Sequence, residues 1–279
     1  MYKILTLLFS GLLVSISEPL VVLPELPLLH GQIVDHDHPV SEPSGMVWHP
    51  LRHSLFILGD GGDLQERSQD GKLLRATHLP KGDWEGITVD PRSGQLYLAR
   101  EGAEAIQELD VESLKLLRKW PLPRSFLGQG VMAKADNEGL EGIAFVPDLS
   151  KPHGGTFFVA NQFTGKRHSG EANALFEIEI PLLSETLGQA RILSQIDLVP
   201  RDLADLCYDS KRQQLIVVSD LENLVIILGL DGIERQRFSL TGRDQEGIAF
   251  DDQGHFWIGQ DSGDVLRYDF DSSILDSER

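Results

Sequence analysis

The chain reads as an all-β protein, a five-bladed β-propeller, on three observations. Past residue 40 there is almost no helical periodicity, only short apolar or alternating runs separated by Gly, Asp and Pro. A short motif recurs: Glu85-Gly86-Ile87 in DWEGITVD, Glu141-Gly142-Ile143 in GLEGIAFV and Glu246-Gly247-Ile248 in DQEGIAFD, with weaker copies at Ser44-Gly45-Met46 and Ala204-Asp205-Leu206. The central positions of the copies, Gly45, Gly86, Gly142, Asp205 and Gly247, are separated by 41, 56, 63 and 42 residues. Repeats of about 40–50 residues are the size of a propeller blade.

Each repeat can be laid out as four strands. The triplet opens the first: Met46-Val47-Trp48, Ile87-Thr88-Val89, Ile143-Ala144-Phe145, Leu206-Cys207-Tyr208 and Ile248-Ala249-Phe250. A turn rich in Gly and Asp follows, such as DPRSGQ at 90–95, because these residues tolerate positive φ or cap their own backbone. The second strands are Leu55 to Leu58, Leu96 to Ala99, Phe157 to Ala160, Leu215 to Val218 and Phe256 to Gly259. Third strands such as Ala174 to Ile180 and Leu224 to Leu228 come next, and more polar fourth strands such as Lys72 to Leu79 and Ile233 to Leu240 close the unit. The two long steps place insertions at about 123–138 and 163–173, and 182–190 reads as either a helix or a long loop.

The last repeat stops after a third strand, Val265 to Phe270. The segment His30 to Val34 is expected to supply its fourth strand, so that pairing of the N- and C-terminal segments closes the ring and removes exposed edges. A six-bladed ring is the alternative, with a divergent blade inside an insertion. The domain division that follows is 1–17 as a signal peptide or short membrane anchor, 18–39 as a closing segment and 40–279 as the propeller.

The N-terminus reads as an export signal. Lys3 gives the positive flank, Ile4 to Ser17 is an apolar-to-small run, and Ser15 and Ser17 precede a cleavage point before Glu18. The run is short for a membrane span, which takes about 20 residues. Cys207 is the single cysteine, so no intramolecular disulfide forms, and its apolar neighbours make it a core thiol. Export without disulfides suits a bacterial periplasm or cell envelope, with an inner-membrane anchor left open. The formal net charge of −18 argues against nucleic acid as a partner and suits cations or polar ligands.

The repeat also predicts where acids meet. In a propeller the first strand of each blade lines the channel, and the antiparallel second strand ends at the same mouth. The triplet column holds Ser44, Glu85, Glu141, Ala204 and Glu246, with Asp205 beside it. The second-strand column holds Asp60, Glu101, Gln162, Asp220 and Asp261. Crowded carboxylates need large pKa shifts or a counter-ion. Calcium accepts six to eight oxygens in flexible geometry, whereas zinc prefers the His and Cys that these columns lack. The expected ligands are Glu85, Glu141 and Glu246, with Asp60, Glu101, Asp205, Asp220 and Asp261 as weaker candidates. The competing reading makes each acid a structural group that accepts main-chain N–H bonds from the next blade.

These motifs, with DLADLCYD and DQEGIAFDDQGHFWIGQDSGDVLRYDF, resemble successive blades of the SdiA-regulated (YjiK) family over roughly residues 40–270. The resemblance implies a five-bladed propeller with bound calcium, distantly related to NHL-repeat propellers, in an exported or inner-membrane-anchored protein. Ser44 and Ala204 depart from the pattern, so Glu85, Glu141 and Glu246 are the residues that carry over. The family implies no particular reaction.

Other motifs read as structure. His36-Asp37-His38 is a solvated edge more readily than a metal tract. GDGGD at 59–63 and DSGD at 261–264 are blade turns that do not match an EF-hand. Trp84, next to Glu85, is a candidate pocket wall, and Trp48, Trp120 and Trp257 are expected in the core. No GxSxG elbow or phosphate loop is present. Three readings follow: a calcium-binding module for an unidentified small molecule or protein, a calcium-dependent hydrolase of a lactone, ester or phosphoester, or, ranked last, a purely structural propeller with no ion.

Overall fold

The computed structural model describes residues 23–30, 37–132, 139–162, 173–184, 188–199 and 202–269. The N-terminal run and the 163–172 insertion lie outside these residues. Among the described residues no helix is long and apolar enough to cross a membrane.

The described chain is all β, arranged as five four-stranded antiparallel sheets. Blade 1 comprises β2 (Gly45–His49), β3 (Ser54–Leu58), β4 (Asp63–Ser68) and β5 (Leu73–His78). Blade 2 is β6 (Asp83–Val89), β7 (Leu96–Glu101), β8 (Ala105–Leu109) and β9 (Leu116–Pro121). Blade 3 is β12 (Leu140–Pro147), β13 (Gly155–Asn161), β14 (Ala174–Glu179) and β15 (Arg191–Asp197). Blade 4 is β16 (Leu203–Asp209), β17 (Gln214–Ser219), β18 (Leu224–Gly229) and β19 (Glu234–Ser239). Blade 5 is β20 (Gln245–Phe250), β21 (His255–Gln260) and β22 (Val265–Asp269), completed by β1 (Leu28–His30). The insertion between blades 2 and 3 carries a small hairpin, β10 (Ser125–Phe126) with β11 (Gln129–Gly130).

The ring closes as the sequence leads one to expect, by antiparallel pairing of β1 with β22, and the described closing strand, Leu28–His30, includes the first residue of the expected His30 to Val34. Leu28 pairs with Tyr268 and His30 with Arg267, while 31–34 lie outside the described residues. The hairpin β10–β11 is the sole sheet besides these five among the described residues, so the six-bladed alternative finds no four-stranded sixth sheet there. The described part of 182–190 is loop, not helix.

Strand alternation explains the packing. Successive side chains of an inner strand point to opposite faces of its blade, and both faces are covered by neighbouring blades. Val47 therefore packs towards blade 2 with Ile87, Val89 and Leu98, while Met46 and Trp48 pack towards blade 5 with Ala249 and Trp257. An apolar cluster of this kind lies between every neighbouring pair of blades. This is why β18 (LVIILG) is apolar and buried on both faces, whereas the outermost β5 alternates half-buried and exposed.

The first turn of four blades is held by the same device. Asp90 Oδ1 accepts the amide of Arg92 at 3.0 Å, Asp148 that of Ser150 at 2.8 Å, Asp209 that of Lys211 at 2.9 Å and Asp251 that of Gln253 at 2.9 Å. Aspartate suits the position because its short side chain reaches its own backbone two residues on.

Candidate metal centre at one mouth of the channel

The triplet glycines meet at the propeller axis. A Cβ built on Gly45 would lie 2.7 Å from Gly86 Cα, one on Gly86 would lie 3.0 Å from Gly142 Cα, and one on Gly142 would lie 2.4 Å from Asp205 Cα. A Cβ on Gly247 would lie 3.1 Å from Gly45 C, which completes the circuit. At these four positions a side chain would collide with neighbouring atoms, so the close approach calls for glycine.

Asp205 occupies the one slot of this ring that is not glycine, and it is fully buried. Its Oδ2 accepts the amides of Ile248 at 2.9 Å and Met46 at 3.3 Å, its Oδ1 accepts that of Leu206 at 2.8 Å, and the amide of Ile143 also reaches it. One carboxylate thus ties the inner strands of blades 1, 3, 4 and 5. Burial pushes its pKa well above the usual range against the opposing pull of these amides. Asp205 has the structural role weighed above for the acids at large.

The glutamates of the triplet stand in bulges. The β6–β7 register shifts between Trp84 and Gly86, β12–β13 between Leu140 and Ile143, and β20–β21 between Gln245 and Ile248. A bulge takes a residue out of the pleat's alternation and re-aims its side chain. Blade 1, which has Ser44 at this slot, pairs β2 with β3 without a shift, and the Ser44 hydroxyl donates to the Trp84 carbonyl at 2.6 Å to link blades 1 and 2.

Glu85, Glu141 and Glu246 act on one another electrostatically. Glu85 is pushed up to about 9 by burial first, then by Asp60, Asp83, Glu101 and Glu246. Glu246 is also pushed up to about 9, by burial and then by Asp261, Asp220, Asp202 and Asp205. Glu141, only 8% exposed, lies well above the carboxylate range through burial, then Glu85, Glu101, Glu246 and Asp202. Every neighbour named in these shifts is another acid.

The second-strand column stands at the same mouth. Asp60 is raised to about 6 by burial, by a hydrogen bond with Asp83 and by the charges of Asp83, Glu42 and Asp261. Asp220 and Asp261 are raised chiefly by burial and then by neighbouring acids, and Asp220 Oδ1 also accepts the Gln245 amide at 2.8 Å. The Glu101 carboxylate lies against Gly139, where a Cβ would fall 2.8 Å from its Oε1. Gln162 takes a different part, donating from Nε2 to Asp202 Oδ1 at 2.5 Å.

A third acidic column escaped the sequence reading. Glu42, Asp83, Asp202 and Asp244 each precede the triplet position by two residues, and Gly139 fills the slot in blade 3. Main-chain bonds fasten this column to the second strands: Asp60 N–H to Glu42 O at 3.0 Å, Gln162 to Gly139 at 2.9 Å, Asp220 to Asp202 at 3.0 Å and Asp261 to Asp244 at 3.1 Å. The signal was visible in the strings EPSG, DWEG, DLAD and DQEG. Among the described residues, the group whose carboxylate oxygens come within 4.8 Å of one another is Asp60, Asp83 and Glu85, so Glu85 belongs both to the triplet set and to a cluster formed by blades 1 and 2.

The remaining motifs are structural. Trp84 is fully buried, donates to Pro80 O at 3.1 Å and carries the Arg100 guanidinium 5.0 Å above its ring. The loops 59–63 and 261–264 are equivalent turns with Gly62 and Gly263 at positive φ. Asp37 and His38 are exposed, and His36 lies outside the described residues.

A family model described as SdiA-regulated matches residues 35–263. Among curated proteins none matches the chain by sequence. Glutaminyl cyclase from Myxococcus xanthus is similar in structure at 11% identity with a TM-score of 0.56, over 88% of this chain and 97% of that one. A gluconolactonase from Xanthomonas campestris is similar at 15% identity and TM-score 0.50, over 88% and 86% of the two chains. A chain of a nidogen/laminin complex is similar at 13% identity and TM-score 0.51, over 83% and 76%. These likenesses are of fold alone.

Proposed function

The chain belongs to the SdiA-regulated family, and from that premise we propose that it is an exported calcium-binding propeller whose acidic mouth holds the ion for a ligand or partner. The observation that carries this reading is a buried glutamate, Glu141, beside two half-buried ones, Glu85 and Glu246, all with pKa values raised by burial and by neighbouring acids. Such a site is relieved either by protons or by a hard cation. The donor set is carboxylate oxygen throughout, which fits calcium. Glu85, Glu141 and Glu246 would hold the ion, with Asp60 and Asp83 reaching it through the cluster around Glu85. Glu101, Asp220 and Asp261 stand behind them as further acids. Asp205 serves the backbone instead. The N-terminal run of residues 4–17 supports export to the periplasm or cell envelope.

A second reading is a calcium-dependent hydrolase of a lactone, ester or phosphoester. Asp220 and Asp261, raised above the usual carboxylate range beside Glu246, are suited to accept a proton from water there. A bound ion would polarise the scissile oxygen.

One experiment separates the two. The protein is stripped with chelator, refilled with calcium, and assayed on lactone, ester and phosphoester panels alongside Glu141→Gln. Calcium-dependent melting with silent panels supports the binding module. Turnover that requires calcium and disappears in a folded Glu141→Gln variant supports the hydrolase. Identical melting with and without calcium contradicts both.

A further inference from the structure

We propose that Arg100, with Lys81 beside it, is the anion-recognising element of the acidic mouth, and that the ligand held there is a small molecule whose carboxylate or phosphate group is shared between the bound ion and the guanidinium. This rests on the reading of the mouth as a calcium site. Arg100 precedes Glu101 at the mouth end of β7 and pairs across the ladder with Trp84. Its guanidinium lies 5.0 Å above the Trp84 ring, and its Nη2 donates to Lys81 O at 3.1 Å. A Cβ on Gly82 would fall 2.8 Å from Arg100 Nε, so glycine leaves the guanidinium its place. The residues that cradle it, Gly82 and Trp84, flank Asp83 and lead into Glu85, two members of the carboxylate cluster with Asp60.

What sets Arg100 apart is the missing acid. Other guanidiniums stacked on aromatic rings also hold a carboxylate: Arg75 over Phe56 pairs with Glu66, Arg92 over Phe145 with Asp90, and Arg118 over Trp120 with Glu108. Arg267 over Trp257 has none, and its Nη1 reaches Gln69 O at 3.5 Å instead. Arg100 is next to Glu101 in the chain and packs on the neighbours of Asp83, yet no acid among the described residues pairs with it. Its Nε and Nη1 find no acceptor among those residues either, and neither nitrogen is sealed from solvent. Lys81 is exposed and likewise has no acid partner among the described residues. Two cations therefore border the acidic cluster without being neutralised by it.

The chemistry of the two groups selects the ligand class. A guanidinium is a planar fork of donors that matches a carboxylate or phosphate. The stack on Trp84 fixes its plane and leaves its edge for a second partner. The same oxygens are the ligands a hard cation prefers. In the ion-free mouth the clustered carboxylates repel an anion, and an ion at Asp60, Asp83 and Glu85 reverses the local charge beside Arg100. Anion binding should therefore follow calcium binding, and an uncharged molecule gains little from either group.

The test titrates glycerate, glycerol 2-phosphate and glycerol into the full chain by calorimetry, calcium-loaded and chelator-stripped, after a calcium titration of the stripped protein. The three probes carry a carboxylate, a phosphate or neither on one three-carbon skeleton. We expect an anion to bind the calcium-loaded protein at about millimolar affinity or better, the tighter of the two naming the group, and glycerol not to bind. In Arg100→Gln the anion should bind about tenfold more weakly or worse, with calcium affinity kept and partial recovery in Arg100→Lys. An arginine that only packs on Trp84 would change the melting temperature and leave anion affinity as it was. Calcium heat without anion heat overturns the proposal alone, as does equal anion affinity in a folded Arg100→Gln, equal binding of glycerol, or equal anion binding to the stripped protein. No calcium heat removes the calcium reading, and this proposal with it. If Arg100→Gln does not fold, Lys81→Gln, at an exposed position, decides: it should weaken the anion, and an unchanged affinity overturns the assignment.

Discussion

The carboxylate of Asp205, on the inner strand of blade 4, accepts the amide of Ile248, on the inner strand of blade 5, at 2.9 Å. The amides of Met46, Leu206 and Ile143 share the same carboxylate. All four donors immediately follow the central position of their own triplet, so one side chain reads the repeat from its centre.

Asp205→Ala leaves those amides without an acceptor in a buried place. At about 1–3 kcal/mol for each buried group left unsatisfied, the variant should lose roughly 3–5 kcal/mol, measured by urea denaturation. Asp205→Asn keeps one acceptor oxygen and should lose less. Equal, small losses for both would show that the carboxylate does not hold the blades together.

Gly142→Ala should be among the most damaging of the glycine substitutions. Its Cβ would lie 2.4 Å from Asp205 Cα, so backbone rather than a flexible side chain would have to move. Overpacking of this kind costs about 1–3 kcal/mol or more. Gly61→Ala, whose Cβ meets nothing within 4 Å, is the control and should leave the melting temperature within about 2 °C of wild type.

The fold was legible because blade periodicity is carried by residues that must face the axis. Gly45, Gly86, Gly142 and Gly247 mark every inner strand except that of blade 4, and apolar runs such as Leu224 to Leu228 mark strands buried on both faces. Of the closing strand, Leu28 and Leu29 lie before the expected segment, since three residues are too few to show a pattern of their own. In the site, Glu85, Glu141 and Glu246 were legible because they repeat. Asp205 looked like one more acid, since nothing in sequence tells a ligand from an acceptor of main-chain amides. The column of Glu42, Asp83, Asp202 and Asp244 was overlooked because it lies two residues outside the triplet, in loop conformations where Glu42, Asp202 and Asp244 have positive φ.

The metal-free protein should become less stable as pH rises. Glu85 and Glu246 have ordinary values of 4.5 and are held at about 9 in the fold, so the folded state binds protons more tightly than the unfolded one between those limits. Their contribution is fully present below about pH 4.5 and is lost as pH rises through about 9. In chelator the melting temperature attributable to these groups should fall by about 5 °C or more from pH 6 to pH 9, and calcium should flatten the curve. A metal-free melting temperature that rises over this range would contradict the assignment.

Substitution should separate the members of the cluster. Glu85→Gln removes a group shared by the triplet set and the blade 1–2 cluster, and should weaken calcium binding by about 10- to 100-fold, since each 1.4 kcal/mol is a factor of ten. The same variant should be more stable than wild type at pH 9 in chelator, because one acid fewer ionises in the crowded mouth. Asp83→Asn, at an exposed position, should weaken calcium binding less. Thermal melts at pH 9 and calcium titrations check both halves of this statement.

The central claim, a cation held by the acidic mouth, is tested most directly by calorimetric titration of calcium into chelator-stripped protein in HEPES and in Tris. The account predicts a saturable site at roughly micromolar affinity, with a heat that differs between the two buffers because the ion displaces protons from Glu85, Glu141 and Glu246. No saturable heat in either buffer, with a melting temperature unchanged by calcium, would contradict it.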